Sequence, residues 1–335
     1  MISTWQKILG KEYVWDNLLL GNGFSCNIWE NYSYTSLLNF SKENMIEPIL
    51  KESVLKIFKD LKTTNFEEVL KALLTTALVK ESLGENTEEV IQLYDNVRTN
   101  LFNTVHSTHI PFSKLEKKVI GKELTNFRKV FTTCYDLIPY WSVFNTISSK
   151  KQVDFFWRNN IFDSRNVKIF HPTSVTAFYY LHGALHLQTN LASVVHKLFG
   201  ASDNLPKIDS YKFTELNTVL PLFITEGTSD YKLSKIESNG YLNFCYKELS
   251  KIEGGLVVIG QGLDPTYDQH LVDAIISNEK LTYVALSIYS GLHEDEKERL
   301  IKIFEARLLR KKPQLELFFF ESDSHPLCSK DVKAT

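Results

Sequence analysis

The sequence predicts an α/β fold: a parallel sheet of about six strands with helices on both faces and a helical insertion after the first strand. Three observations predict it. Short apolar runs recur at residues 14–20, 128–133, 177–181, 256–260, 282–288 and 315–320. Long segments separate them, several with apolar residues at helical spacing. Several of the runs also stop at glycine or polar residues. Unbroken apolar runs of this length suit strands covered on both faces, and alternation with helices builds a parallel sheet.

Taken in order, the first run, 14–20, stops at Gly21-Asn22-Gly23. The next run begins only at residue 128, far beyond the dozen or so residues that a parallel crossover requires. Residues 44–124 are therefore expected to form a helical lobe over the mouth of the crevice, with 1–43 and 125–335 as the sheet domain. Within the lobe, Phe66, Val69, Leu70, Leu73, Leu74, Ala77 and Leu78 share one helical face. Asn65 with Glu68 reads as a capping pair and Gly84 as a stop. Val90, Ile91, Tyr94, Val97, Leu101 and Phe102 mark a second helix. Residues 267–278 and 293–310 read as helices after the fourth and fifth strands, the latter acidic at its start and basic at its end, as a helix dipole favours. The tail, 322–335, is polar and is expected to fray.

Composition narrows the function classes. The 335 residues carry a formal net charge of −2, with 43% hydrophobic and 23% charged residues. Nothing here supplies the basic field that direct nucleic-acid binding needs. No stretch approaches the roughly 20 apolar residues of a membrane span, and residues 1–15 lack the apolar core of a signal peptide. Cys26, Cys134, Cys245 and Cys328 lie far apart without a C-x-x-C pair. That argues against a structural zinc site and a disulfide scaffold, so a cytoplasmic protein is expected.

Chemistry concentrates at four strand ends. Gly21-Asn22-Gly23-Phe24 lets the backbone turn tightly and approach a phosphate, although the full G-x-G-x-x-G is absent. Thr132-Thr133-Cys134-Tyr135-Asp136 puts polar residues at a carboxyl end, where open sheets bind ligands. His182-Gly183 offers an imidazole able to act as a base near neutral pH. His186, four residues on, would pair with His182 on a metal only in a helix, and the stretch reads as strand then loop. Gly260-Gln261-Gly262, followed by Asp268 and His270, marks the fourth end. Each has a plainer reading too: an ordinary turn, a strand cap, or a structural histidine. Together they form one crevice.

In this order the motifs resemble the sirtuin-like, Rossmann-type NAD-binding proteins of bacteria. Tyr180 to Leu187, Glu226-Gly227-Thr228-Ser229 with Lys232, and Gly240-Tyr241-Leu242 resemble one bacterial family within that clan. The likeness runs from about Leu18 to about Ile288 and includes NAD-degrading proteins of anti-phage defence and abortive infection. It implies NAD or ADP-ribose as ligand, without metal, and NAD glycohydrolase activity releasing nicotinamide. His182 matches the family's base, and Asp136 closes its T-T-x-Y-D motif. The expected ligand-contacting residues are Gly21, Asn22, Gly23, Phe24, Thr132, Thr133, Tyr135, Gly183, Gly260, Asp268 and His270. Homo-oligomers and an ATPase or nuclease partner in defence are further implications. Two departures count: the four-cysteine zinc module of deacylating sirtuins is missing, and Cys134 stands where the family has asparagine. A thiol replaces poorly an amide that both donates and accepts. A catalytically weak nucleotide sensor or scaffold is therefore the second expectation.

Overall fold

A computed structural model describes residues 2–10, 12–144, 152–156, 160–163, 175–190, 193–198, 219–224 and 228–334. In chain order the strands are β1 (Ile2–Ser3), β2 (Asn17–Leu20), β3 (Lys129–Thr132), β4 (Gln152–Val153), β5 (Thr176–Tyr180) and β6 (Gly183–Asn190). There follow β7 (Val195–Lys197), β8 (Val219–Phe223), β9 (Gly254–Ile259), β10 (Leu281–Ile288) and β11 (Glu316–Glu321). Eight of them form one sheet in the order β1-β11-β10-β9-β2-β3-β5-β4, with every neighbouring pair parallel. All six expected strands are there, and β1 and β4 extend the sheet at its two edges.

The central strand, β2, is buried along its whole length, which is why Leu18, Leu19 and Leu20 form an uninterrupted apolar run. Leu18 pairs with Val130 of β3 on one side and Val257 of β9 on the other. After β2 the chain builds β3, β5 and β4 on one side, then crosses back to build β9, β10 and β11 on the other. The strand order therefore reverses at β2. Open α/β sheets bind ligands outside the carboxyl ends at such a switch point.

Helices α1 (Trp5–Leu9) and α2 (Asn22–Ile28) flank β2 in sequence. Between β2 and β3 the chain is helical, with α3 (Tyr34–Glu43), α4 (Glu52–Asp60), α5 (Phe66–Ser82), α6 (Glu88–Ser107) and α7 (Lys117–Leu124). Phe66, Val69, Leu70, Leu73 and Ala77 of α5 are buried, as their spacing predicts, whereas Leu78 is exposed. Asn65 caps α5 by accepting from the Glu67 N–H at 2.9 Å, with no part taken by Glu68. Gly84 follows with a φ of +73°. The later helices are α8 (Ile138–Phe144), α9 (Ser229–Ser238), α10 (Gly240–Leu249), α11 (Pro265–Ser277) and α12 (Glu294–Leu309).

Two expectations are corrected. The stretch after Leu181 is strand, not loop: β6 pairs antiparallel with β7 and β8 in a second, three-stranded sheet. Gly183, at φ +76°, reverses the chain between β5 and β6, and His186 is buried between the rings of Tyr140 and Tyr180. The tail is packed rather than frayed. It makes three 3-10 turns, Ser322–Ser324, Pro326–Cys328 and Lys330–Val332, with Leu327 and Val332 at 0% exposure. The Ala334 N–H also donates to the Ile28 carbonyl at 2.9 Å. His325 and Cys328 are buried beside them, so four side chains dock an otherwise polar segment.

The docked tail yields a prediction. Leu327→Ala should destabilise the protein by about 2–5 kcal/mol in urea unfolding, the range for emptying a buried leucine site. A change within about 0.5 kcal/mol, as for exposed positions, would mean that the tail is frayed after all.

Candidate functional site

The carboxyl ends of β2, β3, β5 and β9 open on a cavity of about 240 Å³. Asn22, Thr133, Cys134, Tyr135, His182, Gly260 and Asp268 line it, so seven of the expected residues come together. Tyr34, Glu67, Lys232, Gln261, Gly262 and Tyr267 complete the wall.

The glycines act on each other. The Gly21 N–H donates to the Ile259 carbonyl and the Gly23 N–H to the Gly260 carbonyl, both at 2.9 Å. A Cβ on Gly21 would stand 2.5 Å from the Gly260 oxygen, and one on Gly23 would stand 2.8 Å from the Gly260 Cα. Gly260 itself adopts φ +67°, and a Cβ there would meet the Phe24 nitrogen at 2.2 Å. The turn after β2 and the turn after β9 thus pack backbone to backbone, which only glycine permits. The expected use of these amides for a pyrophosphate does not hold for Gly21 and Gly23, whose N–H groups are taken. Asn22, the first residue of α2, is the member of the turn that faces the cavity.

Other expected residues are placed behind the wall. Phe24 is fully buried in the core, and Gly183 packs against Leu222 and Phe223 of β8. The Thr132 hydroxyl accepts from the Cys134 N–H at 3.0 Å. Asp136 is buried: Ser25 donates to its Oδ2 at 2.5 Å and the Ile138 N–H to its Oδ1 at 2.8 Å. These bonds let Asp136 hold the β3 turn against α2. At the wall, the Thr133 hydroxyl donates to the Leu20 carbonyl and accepts from the Gln261 amide, tying the three strand ends together. Burial, with Asp136 close by, pushes the Cys134 thiol far above its ordinary pKa, so it is a neutral group at pH 7.

His182 sits in the turn between β5 and β6. Its Nε2 lies 2.9 Å from the Nε2 of His270, on α11. His270 Nδ1 is 2.9 Å from the Ser229 hydroxyl, which also accepts the His270 backbone N–H at 2.7 Å. Burial, then the neighbouring Lys232, holds the His182 pKa well below its usual value and lowers that of His270 to about 3. Both rings are neutral at pH 7. Burial raises the Asp268 carboxyl to about 6, against the pull of Lys232. His182, Asp268 and His270 each offer a donor atom, all within 4.8 Å of one another.

Sequence reasoning missed Glu67 altogether and gave Lys232 no role. The Lys232 ammonium lies 3.2 Å from the Glu67 carboxylate, with side-chain exposures of 2% and 10%. The Tyr135 hydroxyl donates to the same carboxylate at 3.1 Å. Glu67 stands in the first turn of α5, where an acid reads as an ordinary dipole partner. Its one signal is that Leu70 and Leu74 lie on the same side of the helix. Of the motif Glu226 to Ser229, residues 226 and 227 lie outside the described residues.

The pair sets up a test. Glu67→Ala should cost about 3–5 kcal/mol of stability, because it strands a buried ammonium, and Lys232→Met in the same chain should restore most of it. Urea unfolding of both variants is the measurement. A loss below about 1 kcal/mol, the range of exposed pairs, would show that the ammonium is not buried against Glu67.

Residues 18–328 match the family described as a domain of unknown function, DUF4917, and the chain belongs to that family. No curated protein matches the chain. A solved Sir2 homologue, a mutant in complex with ADP-ribose, is similar at 11% identity and a TM-score of 0.35, covering 87% of this chain and 92% of its own.

Proposed function

We propose that this DUF4917 chain binds NAD in the crevice at the switch point and hydrolyses its nicotinamide–ribose bond. One observation carries the reading: Asn22, Thr133, His182 and Gly260 come from four different strand ends and meet in one cavity where the strand order reverses. The sirtuin-like motif order names the ligand, which the cavity alone does not.

In the reaction the glycosidic C–N bond breaks and its electron pair leaves with neutral nicotinamide. Positive charge grows on the ribose, water adds to the same carbon, and the water's proton goes to the His182–His270 pair. The products are nicotinamide, ADP-ribose and a proton. Asp268 supplies negative charge beside the growing cation. Lys232 is the cation placed to meet a phosphate. Neutral imidazoles are in the right state to accept a proton, but the burial that keeps them neutral also makes them weak bases. Slow turnover is the consequence.

Cys134 favours a second reading, that of a nucleotide sensor or scaffold. Its buried, neutral thiol replaces an amide at the cavity wall. Assembly into homo-oligomers, a defence role, and an ATPase or nuclease partner rest on the motif resemblance alone. No helix among the described residues is long and apolar enough to cross a membrane.

Nicotinamide release from NAD decides between the readings, with melting temperature as the control for folding. His182→Ala should lower release by about 10²- to 10⁴-fold, the usual worth of a general base, and Cys134→Asn should raise it. If His182→Ala releases nicotinamide at the parent's rate per folded molecule, the base assignment fails. Binding of ADP-ribose with no release by the parent or by Cys134→Asn would establish the sensor.

A further inference from the structure

We propose that His182, Asp268 and His270 form a binding site for a divalent transition ion, with zinc the best fit. The proposal goes beyond the NAD reading and stands without it. Three separate segments build the site: the turn between β5 and β6 carries His182, α11 carries Asp268 and His270, and the start of α9 carries Ser229 behind them.

The backbone of α11 is the first reason. Residues two apart on a regular helix point to nearly opposite sides. Asp268 and His270 would then face away from each other. Asp268, however, has φ −131° and ψ 19°, a non-helical conformation inside α11. The break rotates the first turn against the rest of the helix and brings the carboxylate and the imidazole to one side, facing His182. A local departure of this kind persists only where the surroundings hold it, and such departures gather at ligand sites.

The donor geometry is the second. The two Nε2 atoms are 2.9 Å apart, and a tetrahedral zinc bonded to both at about 2.0–2.1 Å would set them about 3.3 Å apart. A movement of a few tenths of an ångström is sufficient. Two imidazoles and one carboxylate suit zinc among the abundant divalent ions, and three protein ligands leave a fourth position open to the cavity. The third is the support behind the ligand. The Ser229 hydroxyl accepts the His270 backbone N–H and lies 2.9 Å from His270 Nδ1, and in the Nδ1–H tautomer it would accept from the ring as well and aim Nε2 at the ion. Lys232 would repel a cation, but Glu67 holds its ammonium at 3.2 Å, and Asp268 leaves the surroundings with net negative charge.

An ion on His182 Nε2 takes the lone pair that proton abstraction needs. The ion and the proposed base therefore exclude each other at that atom.

The test is direct binding, read without NAD. Chelator-stripped protein is titrated with zinc alone against a chromophoric competitor, and with Co²⁺ while the visible spectrum is recorded. One equivalent should bind. Asp268→Asn and His270→Gln should each weaken it at least about tenfold, and Ser229→Ala about 10- to 100-fold, as for removal of a group that orients a ligand. The Co²⁺ complex should show d–d bands without a thiolate charge-transfer band. Circular dichroism confirms the fold of each variant, and Asp268→Asn alone suffices if His270→Gln does not fold. The proposal is overturned if no zinc binds above background, if affinity is unchanged in the folded variants, or if a thiolate band shows that cysteines hold the ion.

Discussion

Everything at the candidate site is referred to the place where two turns touch. The Gly21 and Gly23 amides donate to the Ile259 and Gly260 carbonyls, and no side chain fits between them. This contact holds the end of β2 against the end of β9, the two strands on either side of the topological switch. Thr133 and Gln261 extend the same clamp to β3. With three strand ends fixed, α2 and α11 leave the sheet in set directions. Their first turns then carry Asn22 and Asp268 into the wall of one cavity. The glycines matter here through protein packing against protein, and the ligand gains from the geometry that results.

The second constraint is electrostatic. Lys232 is almost wholly buried, and an ammonium in that position requires a counter-charge. Glu67 supplies it from α5, within the helical segment between β2 and β3. The helical segment and the sheet are thereby joined through a charge pair in the cavity wall itself, not only through apolar contact. Any anionic ligand entering the cavity meets the same ammonium and competes with Glu67 for it.

Much of the fold was legible because parallel strands buried on both faces leave continuous apolar runs. Leu18 to Leu20 and Leu256 to Ile259 are examples, and both are buried throughout. The second sheet was not legible. His186 interrupts the apolar run of β6, β7 has only three residues, and β8 contains Pro221, which usually argues against a strand. The tail hid Leu327 and Val332 among serines, lysines and aspartates. At the site, residue types marked the strand ends correctly, since glycine and polar residues concentrate there for geometric reasons. What they do in the fold was hidden. Nothing in Gly21-Asn22-Gly23 says that the Ile259 and Gly260 carbonyls occupy two of its amides, and nothing in the α11 sequence announces the break at Asp268. Long-range partners such as Glu67 and Lys232, 165 residues apart, leave no local pattern at all.

The central claim is that nucleotide recognition takes place at the carboxyl ends of β2, β3 and β9. A crystal structure of the protein with ADP-ribose tests it most directly. The account predicts the ligand within hydrogen-bond distance of Asn22, Gln261 and Lys232, with its ribose toward His182. A second cavity lies at the amino ends of the same strands, lined by Asp16, Arg128, Lys129 and Glu248. ADP-ribose bound there, with the first cavity empty, would contradict the account.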